Sequence, residues 1–231
     1  MIRRDQLAGH LAEVRQRISA ACAAAGRDPG DVTLIAVTKT WPASDVRLLY
    51  ELGVADIGEN RDAEAAPKAA ACQDLNLTWH FIGQLQTNKC ASVARYASFV
   101  HSVDRPRLVR ALGNAARRAQ RQVQCLIEVS LDADPARGGA VEADVPALAE
   151  AVAGESGLVL AGVMAIAPLS EPPAEAFGRL LVSAAAVRAV RSAATMISAG
   201  MSGDLEAAVA AGATHLRIGT ALLGGRGPVV R

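Results

Sequence analysis

Three stretches of this chain carry side chains whose type and spacing could do chemistry. The first is Lys39, which follows the apolar run Leu34-Ile35-Ala36-Val37-Thr38 and precedes Trp41-Pro42. A lysine amine held beside apolar walls is easier to deprotonate than one in water, and the neutral amine attacks carbonyl carbons. The plainer alternative is a solvated lysine that closes a strand. The second stretch is Ser198-Ala199-Gly200-Met201-Ser202-Gly203-Asp204, where small residues let backbone amides approach a ligand and Ser202 stands at the start of a helix. Backbone N–H groups and the positive end of a helix suit an anion. A simple N-cap explains Ser202 as well, and one hydroxyl can serve both purposes. The third is Arg217-Ile218-Gly219-Thr220, 15 positions beyond Ser202, which adds a guanidinium, a hydroxyl and a glycine. Period-two alternation leaves the strand face of Arg217 open, so a structural ion pair is its competing role.

These groups act together only if the fold brings them together. Leu7, Leu11, Val14, Ile18 and Cys22 recur at spacings of three and four, the stripe of an amphipathic helix that ends near Gly26 and the Asp28-Pro29-Gly30 turn. Beyond it, short apolar runs alternate with Ala-rich stretches of helical period, which signals parallel βα units. Strands are expected at 32–38, 56–58, 78–85, 99–103, 123–129, 158–166, 195–199 and 215–223. Helices are expected at 43–52, 61–71, 105–121, 141–153, 175–192 and 204–211, with only a short link over 88–96. Eight such units in 231 residues make a single (β/α)8 TIM barrel with an additional N-terminal helix the leading fold, with an open doubly wound sheet as the alternative. No Pro/Ser-rich linker or compositional break divides the chain, so residues 1–231 are expected to form one domain.

Barrel sites lie at the C-terminal ends of the strands, and phosphate sites are commonly built from the loops after strands seven and eight. Closure pairs strand eight with strand one, which would make Lys39 and the anion cradle neighbours. A ligand with an aldehyde at one end and a phosphate at the other would fit such a pair, and pyridoxal 5′-phosphate (PLP) is a molecule of that kind. A phosphorylated sugar aldehyde fits less well, because the lysine of aldolase barrels usually comes from a later strand.

Composition removes other classes of answer. With 51% hydrophobic and 20% charged residues, the chain can bury a core. Its 24 Lys and Arg against 23 Asp and Glu leave a formal charge of +1, so no overall field attracts nucleic acid or an anionic membrane. Aromatics at 3% are too few for base-stacking platforms. The basic run Arg117-Arg118-Ala119-Gln120-Arg121 ends an expected helix and reads as a solvated face. Cys22, Cys72, Cys90 and Cys125 form no Cys-x-x-Cys pair and read as small buried hydrophobes in a reducing compartment. The N-terminus has no apolar h-region, and Asp5 and Glu13 interrupt any transit-peptide pattern, so a cytoplasmic protein without a membrane span is expected. The glycine-rich end, Gly224-Gly225-Arg226-Gly227-Pro228, is expected to be a tail.

The ordered set of Ala36-Val37-Thr38-Lys39-Thr40, Gly58-Glu59-Asn60, the run from Trp79 to Lys89, His101-Ser102-Val103-Asp104, the run from Ile197 to Asp204 and Arg217-Ile218-Gly219-Thr220 resembles the pyridoxal phosphate homeostasis protein family. That resemblance spans nearly the whole chain. It implies a single barrel related to the N-terminal domain of alanine racemase, binding PLP as a Schiff base on Lys39 and regulating intracellular vitamin B6 and amino-acid balance rather than running a known reaction. It implies Met201, Ser202, Arg217, Gly219 and Thr220 around the phosphate, with Asn60, His80 and Met164 as walls near the cofactor. A histidine bonded within the barrel mouth is the competing role for His80. Two loops depart from the family pattern: Arg61-Asp62-Ala63, and the stretch from Glu128 to Asp132 with Ala136-Arg137-Gly138-Gly139.

The alternative is a PLP-dependent racemase or lyase with an unrecognised second base. Racemisation needs bases on both faces of the carbanion, and alanine racemase takes its second from a tyrosine of a C-terminal β-domain. The chain ends eight residues after Leu223, and Tyr50 and Tyr96 fall in helical stretches. A non-enzymatic PLP carrier is therefore expected, with PLP-dependent apoenzymes as partners and a monomer rather than an obligate oligomer.

Overall fold

The computed structural model describes residues 2–132 and 138–225. Eight parallel strands close in chain order: β1 (Thr33–Val37), β2 (Asp56–Glu59), β3 (Thr78–Phe81), β4 (Phe99–Val103), β5 (Val123–Glu128), β6 (Leu158–Met164), β7 (Met196–Ser198) and β8 (His215–Ile218). β1 pairs with β8 with Ile35 opposite Arg217, so the barrel shuts as its alternating pattern requires. The outer ring comprises α2 (Ala43–Glu51), α3 (Asp62–Ala71), α4 (Cys90–Tyr96), α5 (Pro106–Arg118), α6 (Val145–Ala153), α7 (Pro173–Val190), α8 (Leu205–Ala210) and α9 (Thr220–Leu223), preceded by α1 (Arg3–Ala24).

The stripe Leu7, Leu11, Val14, Ile18 and Cys22 of α1 is buried. Polar ties complete its docking: Arg3 donates to the Leu223 carbonyl (3.1 Å), His10 Nδ1 lies 3.0 Å from the Leu222 carbonyl, and Arg17 pairs with Glu206 at 2.8 Å. α1 thus clasps the last two helices, which carry the anion-suited loops.

Two strands are shorter than the apolar runs imply. β3 stops at Phe81 because the chain then turns at Gly83 and lies backbone to backbone against Asn60; a Cβ on Gly83 would sit 2.1 Å from the Asn60 carbonyl oxygen. β8 stops at Ile218, and 220–223 forms the helical turn α9 with Leu222 and Leu223 buried. A short apolar run does not by itself distinguish a strand from a buried helical turn. The link 88–96 contains a helix of its own, α4.

Alternate strand residues face opposite ways. Ala36, Ile57, Phe81, Val100, Ile127 and Leu216 join the main core between barrel and helices. A separate apolar cluster, Leu126, Ala161 and Met164 with Phe99 and Met196, fills part of the lumen. Ile35, opposite Arg217, adds apolar surface, and His80, His101, Ser198 and Arg217 bring polar groups into the lumen.

Candidate functional site

Lys39 lies two residues beyond β1, half-buried, in a loop pinned on both sides. Thr38 is fully buried; its Oγ1 donates to Glu59 Oε1 at 2.5 Å and its carbonyl accepts from Lys68 Nζ at 2.8 Å. Lys68 also pairs directly with Glu59. Burial pushes the Glu59 carboxyl above its ordinary range, while hydrogen bonds from Lys68 and Thr38 pull it back. On the far side Thr40 sits at φ 69 and donates its N–H to Glu64 at 3.0 Å. A β-branched residue in that region costs about 1–3 kcal/mol, so the surroundings dictate the loop's path.

Lys39 opens onto a cavity of about 250 Å³ at the C-terminal end of the barrel. Asn60, Ser202, Arg217 and Thr220 supply its polar lining, Val37, Ile82, Ile166 and Met201 its apolar walls, and Gly203 and Gly219 its exposed backbone. Larger clefts lie elsewhere, one of about 460 Å³ at the opposite barrel end and one of about 530 Å³ between α4 and α5. Neither is lined by a lysine, and chemistry rather than size singles out the smaller cavity.

The anion side is assembled differently from the expected cap. α8 begins at Leu205 with Asp204 in the N-cap position, so Ser202 does not cap it. Ser202 Oγ instead accepts from the Ala221 N–H at 3.2 Å, tying the loop after β7 to the first turn of α9. Asp204 accepts from the Met201 N–H at 2.5 Å. Gly200, at φ 92, has no space for a side chain, since a Cβ would meet Ala208 Cβ at 2.5 Å. Two loops are thereby locked together where both present backbone and hydroxyl groups.

Arg217 points into the lumen and is 4% exposed. Its Nη1 donates to the Ser198 carbonyl (2.7 Å) and Ser198 Oγ (2.8 Å), and its Nη2 donates to the Ala165 carbonyl (2.8 Å). Burial lowers its pKa to about 10, which leaves it a cation at neutral pH. All three hydrogen-bond partners are neutral, so among the described residues Arg217 makes no ion pair, although the charges of Glu128 and Asp204 favour its cation. Of its five N–H donors, two remain beyond these bonds.

Of the expected site residues, Lys39, Asn60, Met201, Ser202, Arg217, Gly219 and Thr220 line this one cavity. His80 and Met164 do not. His80 lies in the lumen, stacked on Phe99 at 4.6 Å, its ring nitrogens 2.9 Å from His101 Nε2 and 3.0 Å from Asp56 Oδ1. Met164 is buried in the apolar lumen cluster. Val37, Ile82, Ile166 and Gly203 line the cavity without having been expected there; Ile82 was legible as the residue two beyond His80 on the same face. Ala136 and Arg137, like 226–228, lie outside the described residues. All four cysteines are free and buried, and burial pushes the Cys90 thiol up to about 11, which leaves it protonated and inert.

Residues 9–227 match the family profile described as alanine racemase, N-terminal domain. The chain is 42% identical to the pyridoxal phosphate homeostasis protein of Mycobacterium tuberculosis, over 97% of this chain and 94% of that one. It belongs to the pyridoxal phosphate homeostasis protein family. A solved relative is PipY of Synechococcus elongatus with PLP bound, at 34% identity and a TM-score of 0.82, covering 94% of this chain and all of that one. Alanine racemase from Corynebacterium glutamicum shares the fold at 15% identity and a TM-score of 0.71, over 95% of this chain and 60% of the enzyme. Among the described residues of this family member, Lys39 and Arg217 are the only ionisable side chains on the cavity. Tyr96 donates to Asp62 at 3.3 Å, outside the barrel mouth, and Tyr50 lies on α2; neither reaches the cavity.

Proposed function

We propose that this chain binds PLP in the cavity beside Lys39 and acts as a non-catalytic carrier that holds and releases the cofactor in PLP homeostasis. One observation carries the reading: a lysine amine and the coupled loops of Ser202, Gly203, Gly219 and Thr220 open onto a single cavity. The set suits the ligand, because an amine faces an aldehyde, hydroxyls and backbone N–H groups face a phosphate, and Arg217 lies between with donors to spare. Asn60 adds to the fit, since its side-chain Oδ1 is buried and has no partner among the described residues. When bound, PLP supplies an aldehyde that condenses reversibly with a primary amine. Family membership and the PLP-bound relative support the same ligand.

The carrier reading rests on the absence of a second base among the described lining residues, since a guanidinium with a pKa of about 10 stays protonated. PLP-dependent apoenzymes are the recipients this reading requires. The test is the visible spectrum of wild type and Lys39→Ala after PLP loading and removal of excess, followed by borohydride reduction and peptide mapping. A visible band only in wild type, with the reduced adduct on the Lys39 peptide, is expected. An adduct spread over surface lysines would overturn the site. Turnover of any member of a panel of amino acids by the loaded protein, or transfer to an apoenzyme no faster than PLP dissociates, would overturn the carrier role.

A further inference from the structure

A line of hydrogen bonds crosses the lumen from one end of the barrel to the other. Arg217 Nη1 meets Ser198 Oγ at 2.8 Å, Ser198 Oγ meets His101 Nδ1 at 2.9 Å, His101 Nε2 meets His80 Nδ1 at 2.9 Å, and His80 Nε2 meets Asp56 Oδ1 at 3.0 Å. Asp56 opens β2 at the N-terminal end, beside the lower cleft, with its side chain 30% exposed. The three members between the ends are buried.

Chemistry gives this line one direction. A carboxylate only accepts, so His80 Nε2 carries hydrogen and, in a neutral ring, Nδ1 is a bare acceptor. His101 Nε2–H then donates to it, which leaves His101 Nδ1 to accept from the Ser198 hydroxyl. Ser198 Oγ in turn accepts from Arg217, which has no acceptor of its own. Geometry excludes both rings being charged at once, since two charged imidazoles would direct N–H against N–H across the 2.9 Å between His80 and His101. Burial lowers both pKa values, and the charge on Arg217 adds to the effect at His101.

We propose that Asp56 is a positioning residue for the cofactor cavity, acting through the fixed tautomers of His80 and His101 to aim the Ser198 hydroxyl away from Arg217 and so seat that guanidinium on the cavity floor. An amide in place of the carboxylate no longer fixes the direction, since it can donate through its nitrogen as well as accept through its oxygen; where it donates, the line reverses. His80 and His101 would then carry hydrogen on Nδ1, and the Ser198 hydroxyl hydrogen would lose its acceptor.

This inference rests on the PLP reading only for its second arm. In the first arm, ¹⁵N NMR of the ligand-free protein reports the histidine tautomers. Both His80 and His101 are expected as neutral Nε2–H rings in wild type and in Asp56→Glu, and Nδ1–H rings are expected to appear in Asp56→Asn, where the direction is no longer enforced. In the second arm, the Kd for PLP is expected to rise about five- to tenfold in Asp56→Asn, the equivalent of one lost hydrogen bond, and to recover in Asp56→Glu. A charged His80, or a His101 protonated on Nδ1 in wild type, would overturn the proposal even if Asp56→Asn failed to fold. So would a His101 tautomer indifferent to Asp56→Asn, or an unchanged Kd. A wild type with the expected tautomers that binds no PLP would instead sink the PLP reading.

Discussion

Replacing Lys68 by methionine should damage the protein far more than a lysine on an outer helix ordinarily would. Lys68 is 7% exposed and touches two groups: the Glu59 carboxylate and the Thr38 carbonyl next to Lys39. Methionine keeps most of the volume and removes the charge, leaving Glu59 buried with only the Thr38 hydroxyl. Breaking a buried pair by removing one partner costs about 3–5 kcal/mol, and at this chain length each kcal/mol lowers Tm by about 2–4 °C, so a fall of about 6–20 °C is expected. Pairing the change with Glu59→Gln removes the stranded charge and should recover most of the loss.

The same reasoning fixes the pH dependence. Glu59 already sits above its ordinary pKa in the fold, and without Lys68 it rises further. A carboxyl whose folded value exceeds its unfolded value costs nothing below the unfolded value, about 4.3, and its full penalty above the folded one. The deficit of Lys68→Met should therefore be complete near pH 8 and shrink as pH falls towards about 5. Urea melts of wild type and the two variants across that range measure it. A Lys68→Met deficit under about 1 kcal/mol at pH 8, or one that grows on acidification, would refute the assignment of Glu59 as a charge held by Lys68.

Two further outcomes are expected. Burial lowers the pKa of His80 and His101 and takes His215 to about 4, so the unfolded chain binds protons that the fold refuses once pH drops below about 6.5. Each histidine held neutral contributes about 1.4 kcal/mol per pH unit, so His101 and His215 alone should make the urea-derived stability fall by about 2–3 kcal/mol per unit around pH 5; a slope worth less than one proton would contradict neutral burial. Gly83→Ala would drive a Cβ into the Asn60 backbone and should cost about 1–3 kcal/mol while weakening PLP binding, whereas Gly178→Ala, on an open face of α7, should gain up to about 1 kcal/mol. Equal effects of the two substitutions on stability would show that Gly83 is no closer to its neighbour than Gly178.

The barrel was legible because its strands read as short apolar runs and its helices as 3.6-period stripes, and both signals are local. The strand ends were less legible for the same reason. Thr220-Ala221-Leu222-Leu223 is apolar in either conformation, and only its docking against α1 decides for a helix. Lys39 and the loops of Ser202 and Thr220 could be read because they stand at strand ends, where the fold rule predicts function. Ser202's partner could not, since Ala221 is 19 residues away and the hydrogen bond depends on how two loops meet. His80 is the instructive case. Its place in a motif pointed towards the ligand, but its position two residues below Ile82 puts it one layer down, against Asp56 and His101 rather than on the cavity wall.

That lower layer bears on what the fold is for. A lumen packed throughout like the cluster of Leu126, Ala161 and Met164 would need no polar satisfaction. Replacing buried polar or ionic groups with well-packed apolar ones is often neutral or stabilising. Here a guanidinium and three imidazoles occupy the space instead, at a cost in desolvation that shows in every one of their lowered pKa values. The groups are not stranded: His80, His101, Ser198 and Arg217 satisfy one another in a single line, and each lost link would leave a buried donor or acceptor unpaired. Such a network is therefore poorly explained as a source of stability and well explained as a mount. It sets the height and orientation of Arg217, the one buried cation among the described residues that reaches the cavity floor, where a loose side chain would wander.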